Sequence, residues 1–392
     1  MDRPLLNRRL AEFGTTIFAE MSALAVRTGA INLGQGFPDT DGPEEVREAA
    51  VRALRDGRGN QYPPGPGIPE LRTAVAAHQE RFYGHLGVSC DPDTEVLVTA
   101  GATEAIAASL LALLEPGDEV IALEPYYDSY AACIAMAGGT RVPVTLRPDP
   151  ESGSYALDLD ELRDAVTDRT RLILLNTPHN PTGTVLTRDA LAEVARLACE
   201  RELLVITDEV YEHLVFEGEH LPLASFPGMR ERTVTIGSAG KTFSFTGWKV
   251  GWVTATPELV GAVRSAKQFL TYVSAGPFQY AVAEALALPD SYYTGLRDDL
   301  RAKRDILATG LTDAGFQVFR PSGTYFITTD IRPLGFDDGF AFCRTLPERA
   351  GVVAIPNAVF YDHQDQGAPF VRFAFCKQEK TLHEAVTRLQ RL

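Results

Sequence analysis

Cysteine is scarce in this sequence and poorly placed for either of its structural uses. Cys90, Cys133, Cys199, Cys343 and Cys376 are five in number, far apart and outside any Cys-x-x-Cys or Cys/His spacing. That excludes a disulfide framework and a cysteine-based zinc module. Buried apolar roles are expected for them, and no metal site is read from the chain. Basic residues are outnumbered: 37 Lys and Arg against 52 Asp and Glu leave a formal charge of −15. Nucleic-acid and anionic-membrane binders need a basic surface, so neither partner is expected. Long apolar runs are missing as well. The longest helix-like one, Ala105–Leu114, is too short to cross a bilayer. The N-terminal stretch carries Arg3, Arg8, Arg9 and Glu12 and lacks the apolar segment of a secretory signal. A soluble, reducing, cytoplasmic setting is expected.

What is present is a large, ordinary globular composition, 45% hydrophobic and 23% charged over 392 residues. That length exceeds what one core fills, so a large and a smaller domain are expected. From Glu95 the chain alternates strands and helices. Strands are read at Glu95–Thr99, Glu119–Leu123, Arg141–Leu146, Arg171–Asn176, Leu203–Thr207, Thr233–Ile236 and Trp252–Ala255. Helices are read between them at Thr103–Leu114, Ser129–Ala137, Asp160–Ala165 and Arg188–Glu200. This rhythm predicts an α/β fold, a mainly parallel seven-stranded sheet covered by helices on both faces. Helical spacing over Thr15–Thr28, stopped by Gly29, gives an N-terminal arm. A long charged helix, Tyr292–Ala314, follows Pro289. Strands at Gln317–Phe319, Thr324–Thr329 and Phe370–Phe375, with helices near Asp337–Leu346 and Gln378–Leu389, make a smaller α+β domain. The divisions expected are an arm over 1–33 associated with the small domain, a large domain over 34–288 and a small domain over 289–392.

The chemistry gathers at strand ends. Gly101-Ala102-Thr103-Glu104 opens a helix after the first large-domain strand, where free backbone amides suit a phosphate; a plain capped turn is the other reading. Tyr126 and Tyr127 follow the next strand. Asn176–Gly183, rich in Pro, Asn and Gly, demands a defined turn compatible with a cis proline. Asp208 ends another strand with Tyr211 three residues on, and alone it is as compatible with a strand cap as with a site. Ser238 and Lys241 come just past the strand Thr233–Ile236, and Lys249 soon after. Ligands of open α/β sheets collect at this carboxyl edge. Taken together, a phosphate nest, an aromatic plane, an amide, a carboxylate and a lysine fit a phosphorylated aromatic aldehyde. Such a cofactor needs an amine for a Schiff base and a carboxylate facing its ring nitrogen.

Ser238-x-x-Lys241, Gly247-Trp248-Lys249, Asn180-Pro-Thr-Gly183, Asp208-x-x-Tyr211 and the late Arg372 make the chain resemble the fold type I pyridoxal-phosphate aminotransferases of class I/II, over nearly its whole length. Gly34-Gln-Gly-Phe-Pro-Asp39, Asp208-Glu-Val-Tyr-Glu-His213 and Phe370–Lys377 are similar to the kynurenine, glutamine and methionine aminotransferases. Asn60-Gln-Tyr-Pro-Pro-Gly-Pro-Gly67 and the segment around Tyr272–Phe278 resemble actinobacterial N-succinyldiaminopimelate aminotransferases. The resemblance implies an aspartate aminotransferase-like fold, pyridoxal 5′-phosphate and a homodimer with shared active sites. Lys241 would carry the cofactor and move a proton between the substrate Cα and the cofactor C4′. Asp208 would keep the ring nitrogen protonated, and Asn180 and Tyr211 would bond the ring's phenolic oxygen. Tyr127 would stack on the ring; Ala102, Thr103, Ser238 and Lys249 would hold the phosphate, joined by Tyr62 from the partner subunit. Arg372, helped by the Gly36 backbone, would clamp the substrate α-carboxylate, with Asn180 also at the substrate and Phe18, Tyr272 and Phe278 as an aromatic wall.

Two departures bear on substrate. Aspartate aminotransferases place a partner-subunit arginine against the side-chain carboxylate, but Thr271–Phe278 holds none. Lys249 stands at the position of the usual phosphate-binding arginine, a point charge in place of a fork. The expected reaction is transamination between a neutral, aromatic or sulfur-bearing amino acid, or kynurenine, and a 2-oxo acid such as 2-oxoglutarate. N-succinyl-LL-diaminopimelate is the specialised competitor. The alternatives are a cysteine-conjugate β-lyase on the same scaffold and a cofactor-sensing regulator. The regulator would need an added DNA-binding domain, where only about thirty residues precede the Gly34–Phe37 turn.

Overall fold

The computed structural model describes residues 5–14, 16–149 and 153–392, so Arg3 and Thr15 lie outside the described residues. In chain order the strands are β1 (Ile31–Asn32), β2 (Val96–Thr99), β3 (Glu119–Glu124), β4 (Thr140–Asp149), β5 (Ser154–Leu157), β6 (Thr170–Asn176) and β7 (Leu204–Asp208). They continue with β8 (Thr233–Ser238), β9 (Gly251–Thr254), β10 (Gln317–Phe319), β11 (Phe326–Asp330), β12 (Val352–Val353), β13 (Ile355–Pro356) and β14 (Phe370–Ala374).

The large sheet has the order β2-β9-β8-β7-β6-β3-β4-β5. Neighbours from β8 through β4 pair in parallel, while β9 runs against both β2 and β8 and β5 runs against β4. The expected seven strands are all present, and among the described residues the count is corrected to eight. β4 is longer than the apolar pattern suggested, and its outer half turns back into the edge strand β5 with Leu146 opposite Leu157. β3, β6 and β8 are buried almost throughout, as parallel strands covered on both faces must be. One face packs on helices Gly101–Leu113, Asp128–Ala137 and Pro257–Lys267. The other packs on Leu159–Asp164 and Arg188–Glu200.

The small sheet is antiparallel, in the order β10-β11-β14-β13. Helix Asp290–Asp313 links the two units: Tyr293 lies in a large-domain core cluster, while Leu300, Leu307 and Leu311 lie in the small-domain one. Gly315, with φ +93°, follows its end. The arm helix begins at Ile17, where the Thr16 hydroxyl accepts from the Ala19 amide, and stops at left-handed Gly29. Its Met21, Leu24 and Ala25 join the small-domain core, and β1 pairs in parallel with β12. That core also takes in Val210, Tyr211 and Leu214 from the segment after β7. The two units therefore meet along the edge where the candidate residues lie.

Candidate active site

β6, β7 and β8 end nearly level. Asn176 pairs with Asp208, and Asp208 with Ile236. The turns leaving these strands, together with the one after β3 and the helix after β2, enclose a cavity of about 450 Å³. Twelve of the residues anticipated from sequence line it: Phe18, Gly36, Ala102, Thr103, Tyr127, Asn180, Asp208, Tyr211, Ser238, Lys241, Lys249 and Arg372.

Asp208 marks the deep end. It is buried, and the Tyr130 hydroxyl donates to its Oδ2 at 2.6 Å. Burial pushes its carboxyl up to about 6, against the pull of the Tyr130 hydrogen bond. Asn176 braces this corner twice: its Nδ2 donates to the Asp208 carbonyl at 2.8 Å, and its Oδ1 accepts from the Asn180 amide at 2.7 Å. The peptide bonds before Pro178 and Pro181 in this turn are cis. Lys241 sits on the one-turn helix Ala239–Thr242 directly after β8. Its Nζ lies 5.8 Å from the Tyr211 ring centre and 5.9 Å from that of Tyr325. Burial lowers its pKa, which moves a lysine toward a usable nucleophile and base.

At the opposite end the chain builds an anion cradle. Helix Gly101–Leu113 starts without a side-chain cap, so the first-turn amides of Ala102 and Thr103 face outward unsatisfied. Gly101 has φ +76°, and a Cβ there would stand 3.2 Å from the Lys249 Nζ. Gly251 is needed for the same closeness, since its Cβ would lie 2.7 Å from the Gly101 carbonyl carbon. Lys249, itself left-handed at φ 55°, thus brings its ammonium over a helix N-terminus that Ser238 also borders. Amides, a hydroxyl and a cation in one concave corner are a phosphate's donor set.

Arg372 closes the third side. Its Nη1 donates to Asn180 Oδ1 at 2.8 Å and its Nη2 to the Gly34 carbonyl at 3.0 Å, while its buried Nε has no partner. The Phe326, Phe360 and Phe18 rings lie 4.0, 4.9 and 5.3 Å from its guanidinium carbon. Burial pulls its pKa down to about 10, so it stays charged at neutral pH. Gly36 permits this packing, because a Cβ there would overlap the Phe326 ring at 2.4 Å. A guanidinium held between aromatic rings with a donor to spare is prepared for a carboxylate.

Three expected residues are not in this chain's cavity. Tyr62 is 82% exposed, its ring edge-on to Tyr272 at 5.6 Å. Tyr272 is itself half exposed. Phe278, half-buried on helix Gly276–Leu286, stacks on Trp248 at 4.7 Å. Sequence reasoning missed Tyr130, Asn176, Asp128 and Phe326, which all line the cavity. Tyr130 was the findable one, one helical turn beyond Tyr127 on the same face.

A phosphorylated pyridine aldehyde fits this arrangement. The cradle would take the phosphate, the Tyr127 ring would offer a flat neighbour, Asp208 would face a ring nitrogen, and Lys241 would supply the amine. Comparison with known proteins points the same way. Residues 28–389 match the family described as aminotransferase class I and II. The chain is 56% identical over 97% of both chains to a probable N-succinyldiaminopimelate aminotransferase of Mycobacterium tuberculosis. The solved structure of the N-succinyldiaminopimelate aminotransferase of that organism superposes with a TM-score of 0.95, covering 98% of this chain and 99% of the other. The methionine aminotransferase of Escherichia coli is 40% identical over the full length of both. A kynurenine–oxoglutarate transaminase of Dictyostelium discoideum is 38% identical over 98% of this chain and 96% of its own. With its fold, its lysine-centred cavity and these relatives in agreement, the chain belongs to the class I and II aminotransferases, enzymes that use pyridoxal 5′-phosphate.

Proposed function

We propose that the enzyme transfers the amino group of an L-amino acid with an uncharged side chain, the methionine, glutamine, aromatic and kynurenine class, to a 2-oxo acid such as 2-oxoglutarate. The observation that carries the reading is the charge layout of the cavity. Its cations are Lys241, Lys249 and Arg372, and each has a task other than holding a side-chain carboxylate. Phe18, Phe37, Ile106 and Phe326 supply apolar wall. A short side-chain carboxylate such as aspartate's, buried there without a cation, costs several kcal/mol, on the order of a thousandfold in discrimination. A panel of donors assayed with 2-oxoglutarate and pyruvate tests this, and aspartate outperforming methionine and kynurenine would overturn it. A second reading is favoured by the 56% identity to the mycobacterial relative. On that reading N-succinyl-LL-diaminopimelate is the donor, and it would win the same comparison by orders of magnitude.

The bound pyridoxal phosphate supplies a protonated ring that withdraws electrons from the substrate Cα. This chain's residues do the rest. Lys241 would hold the cofactor through its amine and would serve as the base and acid that moves a proton between the substrate Cα and the cofactor C4′. Asp208, braced by Tyr130, keeps the proton on the ring nitrogen. Asn180 and Tyr211 hydrogen-bond the ring oxygen, and Tyr127 covers one face. Ala102, Thr103, Ser238 and Lys249 fix the phosphate. Arg372 orients the substrate through its α-carboxylate, beside Gly36 and Phe18.

The reading includes a homodimer with shared sites. Its support is the exposed apolar group of Tyr62, Phe269 and Tyr272, at 82, 83 and 51% exposure, an unusual amount of aromatic surface to leave in water. Tyr62 then completes the partner's phosphate cradle. It also includes a cytoplasmic setting, supported by five unpaired thiols.

A further inference from the structure

The turn that carries Asp208 and Tyr211 has a second face. Its interleaved residues Glu209, Glu212 and His213 do not line the cavity. Glu209 pairs with His220 at 2.8 Å, while His213 meets His78 of helix Pro69–Tyr83 with their Nε2 atoms 2.8 Å apart. Oε1 of Glu212 lies 3.8 Å from the His213 Nε2. One ligand atom from each of the three residues falls within 4.8 Å of the others. The side chains of Glu212 and His213 are each only 7% exposed, and His78 is 2% exposed.

The protein satisfies this cluster only in part: the imidazoles meet each other through Nε2, and Tyr83 and Gln79 face Glu212. Nδ1 of His78 and Oε2 of Glu212 are buried without hydrogen-bond partners, a condition uncommon enough in native folds to require an occupant or a role. The two imidazoles face each other nitrogen to nitrogen, and each neutral ring has a lone pair to give. Arg81, whose charge bears on both rings, is turned away onto Asp290 and the Leu288 carbonyl. Phe82 and Tyr293 pack against both imidazoles, at 4.8 and 5.8 Å from His78 and 4.6 and 4.5 Å from His213.

We propose that His78, Glu212 and His213 form a zinc(II) site behind the active-site turn. Two neutral imidazoles and a carboxylate are a zinc ligand set, and a fourth position is left for water. Two nitrogens on a tetrahedral zinc stand about 3.3 Å apart, so the rings need to separate by only about half an ångström. The ion would fasten helix Pro69–Tyr83 to the turn bearing Asp208 and Tyr211, which makes its task structural. The ligands come from segments 135 residues apart, so no spacing in the sequence announces them.

Titration of the tag-free holoenzyme with zinc alone, by calorimetry and by thermal unfolding, tests the site. The expected result is one zinc per chain with a Kd below about 1 µM and a raised unfolding midpoint. His78→Ala and Glu212→Gln should each weaken binding about a hundredfold and abolish the thermal shift, with transamination by His78→Ala unchanged. Cobalt(II) should give the visible bands of a four-coordinate centre in the wild type only. Should Glu212→Gln fail to fold, judged by loss of cofactor absorbance, His78→Ala decides alone. No zinc binding by the wild type, or binding that survives His78→Ala undiminished, overturns the proposal.

Discussion

Asp208 is the residue whose two environments differ most usefully. In water its carboxyl titrates near 3.8, and in the cofactor-free fold burial raises it to about 6. Because the folded value is the higher one, the folded state binds the extra proton between those pH values. The associated stability is present at low pH and lost as pH rises through 6. Between pH 5 and 8 that loss amounts to about 1.4 kcal/mol in the cofactor-free protein. Asp208→Asn should not show it, so denaturant unfolding of both cofactor-free proteins should give curves that diverge by about that amount toward alkaline pH; parallel curves would mean the carboxyl is solvated. In the holoenzyme the same substitution should retain cofactor and lose most activity, since an amide does not hold the ring nitrogen protonated. Arg372 offers a second test at this scale. Arg372→Lys keeps the charge and removes the fork, so KM should rise about tenfold or more for donor and acceptor alike, both of which carry an α-carboxylate. A change confined to one of the two would place Arg372 elsewhere than at the shared carboxylate.

Elements decide where such residues end up, and their legibility was uneven for physical reasons. β-branched and leucine-rich runs such as Thr233–Ile236 and Arg171–Asn176 announce buried parallel strands, and the observed β8 and β6 fall on them. Helix Glu44–Arg55 was missed because the face it buries is Val46 and three alanines, a weak apolar signal. β5 was missed because an edge strand needs only its partner β4, and its own pattern alternates over just four residues. The lysine, the strand-end carboxylate and the glycine turns of the site were readable, since their chemistry is local. The bracing of Asp208 by Tyr130 was not, because it depends on how helix Asp128–Ala137 sits over β7. Gly101 tests the role of an element's start. A residue with a side chain held at φ +76° is strained by about 1–2 kcal/mol, and the new methyl would crowd the Lys249 ammonium. Gly101→Ala should weaken cofactor binding about tenfold, measured by titrating the cofactor-free protein, while secondary structure stays intact. Unchanged affinity would mean that the phosphate does not rest on this helix.

For the molecule as a whole, the site lies where the arm, the large sheet and the small sheet meet, and we propose that a partner subunit completes it through Tyr62. Mixing the separately inactive Tyr62→Ala and Lys241→Ala proteins should restore part of the activity, through hybrid dimers that hold one intact site. Sedimentation as a monomer, or no recovery after verified subunit exchange, would confine the site to one chain. The central claim, that this cavity performs amino transfer through Lys241, is tested most directly by a half-reaction. The purified wild-type protein with pyridoxal phosphate should show visible cofactor absorbance that shifts when methionine alone is added and returns when 2-oxoglutarate follows. Lys241→Ala, folded and still binding cofactor noncovalently, should show neither the starting band nor the cycle. A wild-type spectrum indifferent to both substrates, or a Lys241→Ala protein that completes the cycle at near-normal rate, would contradict the account.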